Sequence, residues 1–144
     1  MKKLIALIIV VVIFCGVLGC FCSCYSSEMI QYYAQKENYI CVTGTISSMK
    51  YNEDFTALYI GFSETSPVLD DTSFKIVGEN LAIVRANQID DKLRVGDQIT
   101  FITAPKYYGD GYVMPIVAVL VKGEDLLKFE EGHQNFLDWL RSGD

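Results

Sequence analysis

Cysteine, histidine and tyrosine are the side chains of this 144-residue chain best suited to chemistry, and it has five, one and nine of them. Cys15, Cys20, Cys22 and Cys24 fall in the first two dozen residues. A metal site from Cys20, Cys22 and Cys24 is not expected, because no His or further Cys lies nearby to complete four ligands. They read as small apolar side chains. Cys41 has no second cysteine beyond residue 24 with which to close a disulfide. It sits in an apolar stretch and reads as a buried thiol, since a reactive one needs an electropositive, partly exposed setting. His133 falls on the apolar side of a terminal helical pattern and reads as a packing residue rather than a base. No Ser or Cys stands in a nucleophile-elbow context. The pairs Asp90-Asp91 and Glu130-Glu131 are adjacent, so their side chains diverge into solvent. The Asp-Gly segment 109–111 lacks calcium-loop spacing. Catalysis, a metal and a cofactor are therefore not expected. The tyrosines cluster differently. Tyr51 and Phe55 flank one turn, while Tyr107, Tyr108, Asp110 and Tyr112 share another. Aromatic faces with polar tips suit a planar or sugar-like surface, and carboxylates accept hydrogen bonds from hydroxyls. The plainer reading is that these rings close the end of a small β structure and that Gly109-Asp110-Gly111 is turn chemistry.

These residues must be placed by a chain that begins with a basic, apolar leader. Lys2 and Lys3 precede 21 uncharged residues from Leu4 to Cys24, of which Ser23 is the only clearly polar one. About 20 apolar residues span a hydrocarbon core, so a retained transmembrane helix fits. The same run fits a signal peptide. Val17-Leu18-Gly19-Cys20 resembles a bacterial lipobox, which implies lipidation of Cys20 and removal of what precedes it. Lipoprotein, retained helix and cleavage with release all stay open. The two anchored readings share one topology, with the lysines cytoplasmic and the remaining chain extracytoplasmic.

Without Lys2 and Lys3, residues 25–144 carry 10 Lys plus Arg against 18 Asp plus Glu, a net charge of −8. Nucleic-acid affinity rests on basic contacts to phosphate, so nucleic acid is not an expected partner. Broad docking on anionic head groups is disfavoured for the same reason. About 120 residues suffice for one domain with one core.

The chain divides into the leader 1–24, a short helix or stalk 25–38, and a globular part 39–144. Glu28 to Lys36 reads as helix, with Ser26 or Ser27 as cap. Tyr39 to Met49 and Thr56 to Ser63 alternate apolar and other residues and form a hairpin. Ser73 to Val77 is a third strand. Leu81 to Ile89 reads as helix with Asn80 as N-cap. Gln98 to Thr103 is the fourth strand. Tyr112 to Lys122 is the fifth, with Pro115 marking a bulge or an edge. Gly123-Glu124-Asp125 is a turn. Phe129, His133, Phe136, Leu137 and Leu140 share one face of a C-terminal helix, roughly Glu130 to Arg141, with Trp139 at its edge.

Five strands with a helix between the third and the fourth resemble the oligonucleotide/oligosaccharide-binding (OB) fold. The Val42-x-Gly44-x-Ile46 opening and Leu93-x-Val95-Gly96-Asp97 before the fourth strand carry the likeness. The expected class is thus mainly β: a five-stranded OB-like barrel with one intervening helix, a C-terminal helix and an N-terminal hydrophobic helix. The whole chain is also similar to small membrane-anchored or lipoprotein-like proteins of Gram-positive bacteria, a likeness that implies no activity. In OB folds ligands meet the loops joining strands one to two and four to five. By position, the resemblance implies a binding site of Tyr51 and Phe55 with Tyr107, Tyr108, Asp110 and Tyr112. The expectation is a non-enzymatic, membrane-anchored module facing an envelope protein or cell-wall partner. A small-ligand or sugar-binding module is the alternative.

Overall fold

Period-two burial of Val42, Gly44 and Ile46 sets the first strand, whose inner face becomes the start of the core. The computed structural model describes residues 25–69, 73–108 and 113–143. The leader 1–24, with the expected N-terminal helix and Cys20, lies outside the described residues, as do Asp110 and Tyr112. Among the described residues no helix is long and apolar enough to cross a membrane.

The fold is mainly β. In chain order the elements are α1 (Ser27–Ala34), a 3-10 turn (Lys36–Asn38), β1 (Ile40–Tyr51), β2 (Ala57–Ser66), β3 (Ser73–Val77), α2 (Gly78–Ala86), α3 (Ile89–Lys92), β4 (Gln98–Thr103), β5 (Val113–Pro115), β6 (Ala118–Val121), β7 (Glu124–Leu127) and α4 (Phe129–Ser142). The strands form one mixed sheet in the order β5-β3-β2-β1-β4-β6-β7. β1 serves two neighbours: Ile40 to Thr45 pair with β4, while Thr43 to Tyr51 pair with β2. Register shifts at Thr45/Ile46 and Ile46/Ser48 let it bend between them. A Cβ on Gly44 would stand 2.7 Å from the Phe62 ring, so this glycine makes room for the bend.

Seven strands stand where five were expected. The apolar run after residue 112 divides at Ile116-Val117 into β5, parallel to β3, and β6, antiparallel to β4. Pro115 has no N–H to continue the ladder. The next two amides diverge: Ile116 donates to the Lys75 carbonyl on β3, and Val117 donates to the Ile102 carbonyl on β4. The expected turn 123–125 holds the first half of the other addition, β7, whose Leu127 pairs with Val119. Glu124 and Asp125 hid it by polarity, being exposed at its outer end.

Three further expectations are corrected. Asn80 does not cap α2; Val77 occupies the N-cap position, and Asn80 is inside the helix and 1 % exposed. Its Nδ2 donates to the Gly132 carbonyl and its Oδ1 accepts from Asn135, so it ties α2 to α4. The intervening helical segment is two helices, broken at Gln88, whose φ is +54. Cys41 is exposed rather than buried. Alternation turns Val42 inward and Cys41 to the opposite face.

The main core lies within the sheet and under α2, around Val42, Ile60, Phe74, Leu81, Phe101 and Ile116. A second cluster joins the outer face of the sheet to α1 and α4, through Tyr33, Val117, Phe136, Leu137 and Leu140. Each such side chain contributes roughly 1.5–3 kcal/mol of burial. α1 belongs to this cluster. Ser26 caps it by accepting from the Met29 amide, and Tyr33 is 0 % exposed with its hydroxyl donating to the Lys106 carbonyl. Lys36 pairs with Glu130 of α4. His133 is buried with Nε2 2.8 Å from the Tyr33 carbonyl oxygen, between the rings of Tyr39 and Phe129.

Candidate functional site

The helix α4 presents its only indole toward the start of α2, and a cleft opens between them. Trp139 lies against Gly78, and the cleft of about 720 Å³ is walled by Tyr25, Phe55, Lys75, Arg85 and Trp139. Each comes from a different element. Tyr25 precedes α1, Phe55 tips the β1–β2 turn, Lys75 comes from β3 and Arg85 from the end of α2. Phe55 is 57 % exposed with φ +58, so the turn projects its ring.

Lys75 extends across aromatic faces. Its ammonium is 5.5 Å from the centroid of Tyr59, 5.8 Å from Trp139 and 5.9 Å from Tyr108. Those distances fall within cation–π range. Tyr59 is its direct cross-strand neighbour. Among the described residues neither Lys75 nor Arg85 forms an ion pair. Asp54 also lines the cleft, but it accepts from the Thr56 hydroxyl at 2.6 Å and from the Thr56 amide. Those bonds hold its carboxyl below the usual carboxylate range.

The sequence-predicted site is only partly assembled. Tyr51 and Phe55 stack obliquely at 5.5 Å. Tyr51 is turned away from the cleft, its hydroxyl donating to Asp90 at 2.5 Å, and burial followed by that bond pushes its phenol up to about 12. Arg85 links the two sides, with its guanidinium 5.9 Å from the Tyr51 ring. Tyr107 is 39 % exposed and does not line the cleft. Tyr108 is a packing residue, 2 % exposed among Tyr25, Tyr33, Phe136 and Trp139, and burial raises its pKa. Asp110 and Tyr112 lie outside the described residues.

Sequence reasoning missed Lys75, Arg85 and Tyr25. Lys75 stood in a strand too short to mark its face, and Arg85 in a helix read from its apolar residues. The available signal was Trp139, the single tryptophan, at the edge of an otherwise clean apolar stripe. Among the described residues the cleft is lined by no His, Cys or Ser, and its one aliphatic hydroxyl, on Thr56, serves Asp54. Among the described residues no cluster of His, Cys, Asp or Glu is arranged for a metal. The arrangement suits binding: apolar faces for contact and two cations for an anionic group. Comparison of the chain with models of known families, with curated proteins and with solved structures finds no match.

Proposed function

We propose that this protein is a membrane-anchored, non-enzymatic binding module of the cell envelope, built on an OB-like barrel and held on the extracytoplasmic side. The observation that carries the reading is the position of Tyr25. It follows the apolar leader directly and packs on Trp139 at 5.4 Å and on Tyr108 at 6.4 Å. A domain secured this close to an anchor is built to work at the membrane surface.

The barrel reading draws support from the hydrogen bonding. Counted as one strand, residues 113–121 bond β3 with their first half and β4 with their second. With β1 shared by β2 and β4, the pairing then runs from β1 through β2, β3 and this strand to β4 and back. Protease added to intact cells tests the placement. The domain should be digested from outside, and full protection until the membrane is broken contradicts it.

A second reading, a small-ligand or sugar-binding module, is favoured by Phe55, which the β1–β2 turn delivers to the cleft beside Trp139. Under it, Phe55→Ala weakens binding of cell-wall glycan fragments about tenfold, the scale of losing one aromatic contact. Unchanged titrations with such fragments contradict it.

A further inference from the structure

We propose that the cleft between Trp139, Lys75 and Arg85 binds the phosphate head group of an anionic phospholipid in the membrane that the leader enters. This rests on the anchored reading above and adds a ligand to it.

Three observations converge. The first is reach. Tyr25 lines the cleft and is one residue from the uncharged segment that ends at Cys24. Even if Cys20 were the lipidated terminus, the five steps to Tyr25 span at most about 18 Å. An anchored chain therefore holds this cleft, rather than the far side of the domain, near the head groups. The docking of α1 through Tyr33 and His133 removes the slack that a free stalk would supply.

The second is charge. The domain as a whole is acidic, which disfavours broad contact with an anionic surface. Within the cleft the sign reverses, because Lys75 and Arg85, which form no ion pair among the described residues, stand against the single carboxylate of Asp54, which Thr56 holds ionised. Screening over roughly 8 Å limits the remote carboxylates more than the two cations that line the site. The surroundings thus permit a confined contact and oppose a diffuse one.

The third is side-chain type. Tyr25, Phe55 and Trp139 rim the same opening as the two cations. Tyr and Trp, with an apolar body and a polar edge, favour the head-group level of a bilayer, and Phe55 adds an apolar face beside them. Lys and Arg extend their apolar stems along such surfaces and leave the charge at the phosphate. Lys75 already lies along three rings in this manner.

The single tryptophan makes the site directly observable. Full-length protein is assembled into nanodiscs of phosphatidylcholine with increasing phosphatidylglycerol, and Trp139 emission is recorded. The expected result is a blue shift that saturates with phosphatidylglycerol. Lys75→Gln and Arg85→Gln should each raise the phosphatidylglycerol fraction for half the shift about fivefold, as expected for one basic residue at a charged surface. Lys75→Arg should retain the response, and Lys122→Gln, outside the cleft, should leave it unchanged. Emission that ignores phosphatidylglycerol in disc-bound protein overturns the head-group site alone. An equal effect of Lys122→Gln also overturns it, since the attraction would then be diffuse. Glycerol 3-phosphate that reproduces the shift in phosphatidylcholine discs assigns the cleft to a soluble phosphate and overturns the lipid. Protein that fails to co-elute with discs overturns the anchored reading, and the head-group site falls with it.

Discussion

The indole of Trp139 rests on the backbone of Gly78, so closely that a Cβ at position 78 would stand 2.9 Å from Trp139 Cδ1. Gly78 also has φ +58, at the point where β3 turns into α2. Both the conformation and the contact call for glycine. Gly78→Ala should cost about 2 kcal/mol, combining a left-handed backbone penalty with displacement of the ring. Urea unfolding gives the loss, and Trp139 emission in the folded state should change with it. A variant of unchanged stability and emission contradicts this account of the cleft wall.

A second glycine sets how α4 meets the sheet. A Cβ on Gly132 would overlap the Val117 carbonyl group, lying 2.8 Å from its carbon. Alanine is the better helix former by about 1 kcal/mol. The clash involves backbone, which cannot swing aside, so Gly132→Ala should nevertheless destabilise by about 3 kcal/mol. The same substitution disturbs the carbonyl that accepts from Asn80. Thermal unfolding decides between the two effects, and a raised midpoint would mean that α4 does not sit this close.

Tyr108 offers a test of the packing reading against a ligand role. Its hydroxyl is buried with no hydrogen-bond partner among the described residues. Removing an unsatisfied buried donor is neutral or favourable, whereas removing the ring leaves a cavity. Tyr108→Phe should therefore stabilise by about 1 kcal/mol, and Tyr108→Ala should cost about 3–5 kcal/mol. Loss of stability in the Phe variant would show that the hydroxyl is bonded after all.

How much could be read in advance depended on how local the determinants were. Alternation at Ile40, Val42, Gly44 and Ile46 and at Leu58, Ile60 and Phe62 is a property of neighbouring residues, and β1 and β2 follow it. The α4 face from Phe129 to Leu140 was legible for the same reason. At Asn80 a cap and a buried amide crosslink look alike until Gly132, 52 positions away, is in place. The apolar run around Cys41 says nothing about how little covers that face, and the thiol is exposed. The two tyrosine-bearing turns looked equivalent as sequence. In the fold one projects Phe55, and the other contributes Tyr108 to the interior, a difference set by packing against Phe136 and Trp139.

Buried phenols make stability fall in alkali. Burial raises the pKa of Tyr33, Tyr39, Tyr51 and Tyr108 above the ordinary value of 10.0. Between the unfolded and folded values the unfolded chain binds fewer protons, so unfolding is favoured as pH rises. The contribution is complete below pH 10, and the share of Tyr51 is lost by about pH 12. Denaturant unfolding should therefore weaken steadily above pH 10, and less so in Tyr51→Phe. That variant should also cost about 1 kcal/mol at neutral pH for the bond to Asp90. A flat profile through this range contradicts the burial.

Attachment to the membrane is the premise on which the placement of the cleft depends, and the intact mass of the protein in fractionated cells tests it most directly. The expected result is a membrane-fraction species that is either the unmodified full-length chain or one beginning at a diacylglyceryl-modified Cys20. A soluble, unlipidated species that has lost the leader would contradict it.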